Sequence, residues 1–498
     1  MAEKFFWADQ IADRIIKEKG KKKEYVCASG ITPSGTIHIG NFREIITTDL
    51  VVKALENKGK KVRFIYSWDD FDRFRKVPKN ISKEYEKYLG MPLSDIPSPF
   101  EKGKSYAQHF EQELEESLKK VGVNPEFIYQ NEMNKKCKYA QLIKTAIEKR
   151  REIMNILDKY RKEPLSDDWW PVVVYCEKCK KDYTKIISAK EYVLEYECKC
   201  GYKGKVDFSK KGIVNAPWRV DWPMRWKYED VDFEPGGIDH SVQGGSYTTA
   251  KEIVKEIYGR EAPIYVFYDW VNVKGIALKD FHSSKGNVFT VDDVLEVYEP
   301  EIVRYLFVGT KPKTGFQISF DNDVIKIYED YDALEKKYYD KKADAREKRI
   351  YELSRLKISK ERPEKISFRH LITFVQIGRL NELNKESKIR AEKVKNWLEN
   401  HAGEDMKFKV QEKINVKLNV KEKKALIQLK EILQKEKHTE ERLFNEFYKI
   451  CERSDIKNTE FFDVAYKVII NKKKGPRLAA LILNVGQDKI VKLLEKIK

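Results

Sequence analysis

No run of eighteen or more apolar residues occurs anywhere in the 498-residue sequence, which excludes a helix built to cross a bilayer. The opening MAEKFFWADQ lacks the apolar stretch of a secretory signal, so a cytoplasmic protein with no membrane partner is expected. Cysteine is sparse and odd in number, seven in all, and a reducing compartment leaves few thiols paired. No repeat of fixed period is evident, which argues against a solenoid. Beyond Gly315 glycine nearly disappears, with only Gly378, Gly403, Gly475 and Gly486 remaining. Good helix formers fill that space. What the chain has in excess is charge. Charged residues make up 36%, and 98 Lys and Arg against 80 Asp and Glu leave a formal +18. Such an excess suits a polyanionic partner, although a hyper-charged surface or a lysine-rich compositional bias would look the same. The length allows about two to four domains.

The stretch SGITPSGTIHIGN, from Ser29 to Asn41, holds three glycines and a single histidine. Tyr25 to Ala28 before it read as a short buried strand that breaks at Gly30. After it, Ile45, Ile46, Leu50, Val51 and Leu55 follow helical spacing up to Gly59. Strand, glycine-rich turn and helix N-terminus together direct backbone N–H groups at a ligand and favour a phosphate. A turn with glycines for steric reasons alone is the bland alternative.

Four cysteines cluster as C-x-x-C, eighteen residues, then C-x-C: Cys176, Cys179, Cys198 and Cys200. Strand-like segments lie between and around them, so a small ribbon holding structural zinc through four thiolates is expected; two disulfides, opposed by a reducing compartment, and four unrelated thiols, opposed by the clustering, are the alternatives. A third region, VRFIYSW followed by Asp69, Asp70 and Asp72, places carboxylates where a parallel strand would end. Ligands bind at such ends, and carboxylates there suit a cationic substrate; a solvated acidic loop balanced by Arg73 and Arg75 is the alternative. Farther on, Trp218, Trp222 and Trp226 stand at four-residue spacing, but Pro217 and Pro223 argue against one continuous helix. FEPGGIDHSVQGG leads into a helix with His240 nearby, PIYVFYDW reads as another buried strand, and KDFHSSKGN is followed by Thr290, a helix cap.

In order along the chain, SGITPSGTIHIGNFRE, WDDFDRFRKVP, RVDWPMRW, VDFEPGGIDH and SKGNV resemble the motifs of the archaeal-type class I lysyl-tRNA synthetases. HIGN is similar to the HIGH signature of class I aminoacyl-tRNA synthetases, and HSSKGN to a divergent KMSKS loop. The resemblance covers about residues 1 to 310 and continues more loosely through SFRHLITFVQ and KKKGPRLAALI. It implies an α/β fold with a Rossmann-like parallel-sheet nucleotide-binding domain, a zinc-ribbon insertion and an all-α C-terminal anticodon-binding domain. The segments expected are 1–165, 166–212, 213–312 and 313–498, with KPKTGFQ as linker.

The implied activity is ligation of L-lysine to tRNA(Lys) using ATP with Mg2+, through a lysyl-adenylate. His38, Asn41 and Lys285 are the expected catalytic residues, with Pro33, Ser34, Gly40, Ser283, Ser284 and Lys285 at ATP. The lysine pocket implied comprises Gly30, Thr32, Trp218, His240 and Tyr268, with Asp69 or Asp70 facing the ammonium. A gapped reading of the second loop sets Lys279 beside Lys285 and turns Asp280 outward. Lys472, Lys473, Lys474 and Arg477 are expected on the tRNA backbone. Three other classes fit parts of the pattern. A small-molecule nucleotidyltransferase would not need the helical tail, and a glutamyl-type synthetase would call for arginine in the pocket. A non-catalytic tRNA-binding paralogue would tolerate the altered second loop.

Overall fold

The computed structural model describes residues 6–275 and 288–497. The strands in chain order are β1 (Tyr25–Ile31), β2 (Val62–Trp68), β3 (Glu126–Tyr129), β4 (Val173–Val174), β5 (Thr184–Lys190), β6 (Val193–Cys198), β7 (Lys203–Asp207), β8 (Val214–Asn215), β9 (Phe233–Gly237), β10 (Ile264–Tyr268), β11 (Val271–Val273) and β12 (Phe316–Ile318). Five of them form a parallel sheet in the order β10-β9-β1-β2-β3. The connections run outward one way from β1 through β2 to β3, and the other way from β9 to β10. The strand order therefore reverses between β1 and β9, and the crevice at the carboxyl ends there is where such sheets bind ligands.

β1 is buried along Tyr25–Ser29, as expected of a strand covered on both faces. It does not break at Gly30: pairing continues through Gly30 opposite Ser67 and Ile31 opposite Trp68. Glycine is needed there because a Cβ would stand 2.5 Å from the Ser67 carbonyl oxygen. The following helix, Phe42–Asn57, buries Ile45, Ile46, Leu50, Val51 and Leu55, and ends where Gly59 takes φ +69°.

The tryptophans differ from expectation. Trp218–Tyr228 is one helix, with Pro217 at its N-cap and Pro223 inside it. Pro217 costs nothing there, since the first turn has no intrahelical acceptors for its N–H. Pro223 is held by tertiary contacts: the Trp222 and Trp226 indole N–H groups both donate to the buried Glu234 carboxylate, at 3.0 and 2.5 Å. The rings of Trp218 and Trp222 stack at 4.9 Å.

β5, β6 and β7 make an antiparallel ribbon, and β4 and β8 close its neck. Ile186, Leu194, Tyr196, Val206 and Phe208 share its core with Cys176 and Cys198. KPKTGFQ is bound into the fold rather than acting as a free linker: β12 runs parallel to β11, and the Asp269 N–H donates to the Pro312 carbonyl at 2.9 Å.

The chain forms two compact units. The first comprises Met1–Leu295, Pro300–Ile318 and Asp340–Ile358; the second comprises Glu296–Glu299, Ser319–Tyr339 and Ser359–Lys498. Helix Ala345–Ser354 belongs to the first unit, where Arg349 makes a bidentate pair with Asp9 at 2.9 and 2.8 Å. The second unit is helical. Leu426, Leu429, Phe447, Phe461, Ile469 and Leu481 anchor its core, and the buried Arg390 joins Glu299 and Asp332. The long charged tracts are divided by caps: Lys341 turns at φ +58° before the Asp344 capping box, and Thr439 caps Glu440–Ser454 after Val420–Lys435.

Candidate active site

A cavity of about 1300 Å³ opens at the carboxyl ends of β1, β2, β9 and β10. Gly30, Thr32, Ser34, His38, Gly40, Asn41, Asp69, Trp218, His240 and Tyr268, all expected from sequence, line it. Gly30 and Tyr268, 238 positions apart, thus meet because each sits at or near the carboxyl end of a strand of the one sheet.

The turn after β1 is closed by its own side chains. The His38 N–H donates to Asn41 Oδ1 at 3.2 Å, and the Gly40 N–H donates to His38 Nδ1 at 3.1 Å. An acceptor at Nδ1 leaves the neutral ring's proton on Nε2, which becomes the donor end of the imidazole. Gly40 has a local reason to be glycine: a Cβ would meet the His38 ring at 2.8 Å and the Val271 carbonyl at 3.1 Å. The Ile39 N–H donates to the Phe289 carbonyl at 2.7 Å. Lys279, Asp280, Ser283, Ser284 and Lys285, the residues expected of the second loop, lie outside the described residues.

The carboxylates sort differently from expectation. Asp70 is not a cavity residue; it is buried, and its carboxylate accepts from the Asn131 backbone at 2.7 Å and from the Asn131 amide. Adjacent residues leaving a strand point to opposite sides, so only Asp69 of this pair reaches the cavity. Asp69 is already neutralised by Arg225, 2.6 Å away, which also binds Asp221 at 2.7 Å. Pro33 is buried inside the turn and not on the wall.

Two other carboxylates on the wall have no ion pair among the described residues. Glu44, on helix Phe42–Asn57, accepts from the Gly30 N–H at 3.0 Å and the Tyr268 hydroxyl at 2.7 Å. Burial, with the charges of Glu234 and Asp69, raises its pKa to about 8. Asp72 accepts from the Thr32 hydroxyl at 3.1 Å. Burial and repulsion from Asp69 and Asp221 raise its pKa to about 7 against the pull of Arg225 and Arg75. In both, burial and neighbouring carboxylates outweigh the positive charge among the described residues. Asp72 was legible in the carboxylate group after β2. Glu44 was not, because its partners come from β1 and from the end of β10. Opposite them, Trp218 and His240 form an aromatic side with ring centres 6.2 Å apart, and burial lowers the His240 pKa, keeping the ring neutral.

Arg43, the neighbour of Glu44, is buried and faces away from the cavity. Its guanidinium donates to the carbonyls of Lys311, Pro312 and Thr314 at 2.7, 3.2 and 3.3 Å, and lies over the rings of Phe307 and Phe316. Burial lowers its pKa to about 10, which still leaves it charged at neutral pH.

In the ribbon, the sulfurs of Cys176 and Cys200 are 3.7 Å apart and those of Cys179 and Cys198 are 3.6 Å apart; all four lie within 4.8 Å of one another. A disulfide needs about 2.05 Å, whereas four thiolates at ~2.3 Å from one tetrahedral ion stand ~3.8 Å apart. The spacing fits a metal and not two disulfides. In the second unit, Lys473, Lys474 and Arg477 are exposed, and Lys472 donates to the Glu404 carbonyl at 2.5 Å.

A glycine-rich turn feeding a helix N-terminus at the switch point of a parallel sheet defines a nucleotide-binding protein of the doubly wound α/β class. Residues 5–357 match the family described as tRNA synthetases class I (K), and the chain belongs to that family. Its relatives include the lysine–tRNA ligase of Borreliella burgdorferi, 44% identical over 98% of this chain and 99% of the relative. The lysine–tRNA ligase of Pyrococcus horikoshii is 39% identical over 98% and 99%, and that of Methanocaldococcus jannaschii 36% over 98% of each. Among solved structures, a glutamate–tRNA ligase from Elizabethkingia meningosepticum is similar at a TM-score of 0.48 and 14% identity, covering 96% of this chain and 100% of that one.

Proposed function

We propose that the chain is a cytoplasmic lysine–tRNA ligase, joining L-lysine to tRNA(Lys) at the expense of ATP. The observation that carries this reading is the pair of carboxylates with no ion pair among the described residues, Glu44 and Asp72, in one cavity with a phosphate-binding turn. Lysine is the proteinogenic amino acid with two ammonium groups and a long apolar stem. Two carboxylates suit the former, and the faces of Trp218 and Tyr268 suit the latter. A glutamate substrate would call for a cation where Glu44 and Asp72 stand on the wall, and Arg225, behind it, is engaged by Asp69 and Asp221.

The reaction has two steps. A lysine carboxylate oxygen attacks the α-phosphorus of ATP, forming the acyl-phosphate bond and breaking the bond to the α,β-bridging oxygen, which leaves with pyrophosphate; Mg2+ accompanying ATP would offset phosphate charge. A ribose hydroxyl of the terminal adenosine then attacks the lysyl carbonyl, losing its proton and expelling AMP. No covalent enzyme intermediate is needed, so the protein acts by positioning and by stabilising charge. His38 Nε2–H and the Asn41 amide would donate to phosphate oxygens, with Ser34 and the bare backbone of Gly40 beside them. Gly30 and Thr32 act through the carboxylates, orienting Glu44 and Asp72; Asp69 keeps Arg225 off the substrate. Ser283, Ser284 and Lys285 are assigned to the pyrophosphate by resemblance alone. Lys472, Lys473, Lys474 and Arg477 remain assigned to the tRNA backbone, and 313–498 with its helices to anticodon binding. Zinc held by Cys176, Cys179, Cys198 and Cys200 would be structural, four thiolates leaving no open position for chemistry.

Amino-acid-dependent ATP–pyrophosphate exchange, screened over the twenty amino acids with tRNA present, tests the reading. Lysine alone should support exchange. Exchange driven by glutamate, or none at all, would overturn it.

A further inference from the structure

Glu234 is the second residue of β9, buried in the parallel sheet and in register with Tyr265 of β10. It does not line the cavity, and the reaction outlined above makes no use of it. A carboxylate in such a place costs stability unless its oxygens are bonded, and apolar side chains often serve a core as well or better. Its partners show what it does instead. Oε1 accepts from the Trp222 indole at 3.0 Å and Oε2 from that of Trp226 at 2.5 Å, so both rings are fixed from one point on the sheet.

Trp222 in turn carries the aromatic side of the cavity. Trp218 stacks on it with the two planes 16° apart, and the His240 ring centre lies 5.9 Å from its own. The Trp218 indole N–H is buried and has no hydrogen-bond partner among the described residues. That ring is therefore oriented by what it packs against: Trp222, His240 and the Arg225 guanidinium, 5.5 Å from its centre. The hydrogen bonds that fix its orientation lie one ring deeper, on Glu234. Glu234 also acts on the cavity through its charge, which with that of Asp69 adds to burial in raising the Glu44 pKa to about 8. The titratable groups around these two carboxylates are Asp69, Arg225, Tyr66, Tyr265 and Tyr268. Burial raises the pKa of Glu234 itself to about 7 against the two indole donors and Arg225. Like charge behind Glu44 is unfavourable in the empty pocket, and an incoming ammonium relieves it.

We infer that Glu234 is a positioning residue for lysine selection: it tethers Trp222, so that Trp218 and His240 present a fixed face to the aliphatic stem, and it sets a negative charge behind Glu44. The inference rests on the ligase reading above. A carboxylate kept only for the stability of the Trp218–Tyr228 helix would serve the first of these ends by accident and the second not at all.

The test is Glu234→Gln in the full-length protein. The glutamine carbonyl can accept from one indole N–H, but its amide N–H groups oppose the other, and the charge is gone. In lysine-dependent ATP–pyrophosphate exchange the KM for lysine should rise about tenfold near pH 8.5 with kcat changed little, the pattern of weakened ground-state binding. Near pH 7 the rise should be smaller, because Glu234 is already partly protonated there and losing its charge lets Glu44 ionise at lower pH. An unchanged KM would overturn the proposal, and so would a rise by the same factor at both pH values, since a merely structural loosening acts alike at each. Should Glu234→Gln fail to fold, Trp222→Phe decides: it keeps a ring for Trp218 to stack on and removes one donor, so the KM for lysine should rise several-fold, and an unchanged KM would count against the tether. Without any substrate, tryptophan emission of the Glu234→Gln protein should move to the red as Trp218 gains water; an unmoved spectrum would overturn the tether as well. Exchange by the parent tests the ligase reading, whereas the emission and the ratio of variant to parent test this one.

Discussion

Glu44 and Asp72 set the pH behaviour of the site. Each must lose its proton before it can face an ammonium, and the pKa values of about 8 and about 7 place those losses across neutrality. The KM for lysine should therefore fall as pH rises from 6 to 8.5. Folding carries the opposite sign: both groups hold protons in the folded chain that the unfolded chain has released, so stability without substrate should decline over the same range. Steady-state kinetics and melting curves at each pH check the two trends. Glu44→Gln should raise the KM for lysine about 10²-fold, the scale expected when one partner of an enclosed charge pair is removed, and should flatten the upper part of the pH profile. His38→Ala should fold and lose ~10²–10³ in the rate of adenylate formation, as one phosphate donor disappears; exchange at the parental rate would remove His38 from the chemistry. The sequence made His38 visible because the turn that displays it is local. Glu44 stayed hidden inside the apolar spacing of its helix, where its meaning depends on Tyr268, brought next to it by the order of the sheet.

At the scale of elements, local signals were read well and tertiary overrides were not. The strands β1 and β2, the helix Phe42–Asn57 and the cysteine ribbon stand where apolar runs, glycines and thiol spacing place them. Pro223 misled because the Glu234 bonds and ring stacking that stabilise its helix cannot be seen in its own segment. KPKTGFQ misled because its polar composition conceals three carbonyls gripped by Arg43. A chain ending at residue 312 loses β12, the partner of β11, and helix Ala345–Ser354, whose Leu353 carbonyl accepts from the buried Arg304 at 3.1 Å. It should be insoluble or melt well below the full chain, which circular dichroism will show. In the ribbon, Cys176→Ser with Cys179→Ser should abolish a bound zinc of one per chain and lower the melting temperature. Metal analysis of the freshly purified parent at well under one equivalent would reject the zinc assignment.

Across the whole molecule, the excess of 98 basic over 80 acidic residues is only partly spent on internal pairs. Arg349, Arg390, Arg304 and Arg225 are all engaged by carboxylates, while Lys473, Lys474 and Arg477 remain at the surface. RNA affinity should consequently fall steeply with salt, whereas the KM for lysine, governed by enclosed groups, should change little between 50 and 200 mM, the range in which phosphate contacts weaken most visibly. Filter binding and exchange kinetics on the same preparation will separate the two. Consecutive helical residues diverge by about 100°, and the helix after the histidine turn uses that angle: Arg43 grips the 311–314 backbone while Glu44 meets Gly30 and Tyr268. Adding one residue between Asn41 and Arg43 would swing the cation into the cavity, and deleting one would bury the carboxylate among carbonyl oxygens. The length of this short stretch is thus frozen by two opposite charges side by side, and natural variation in it is expected to take the form of substitutions and never of insertions.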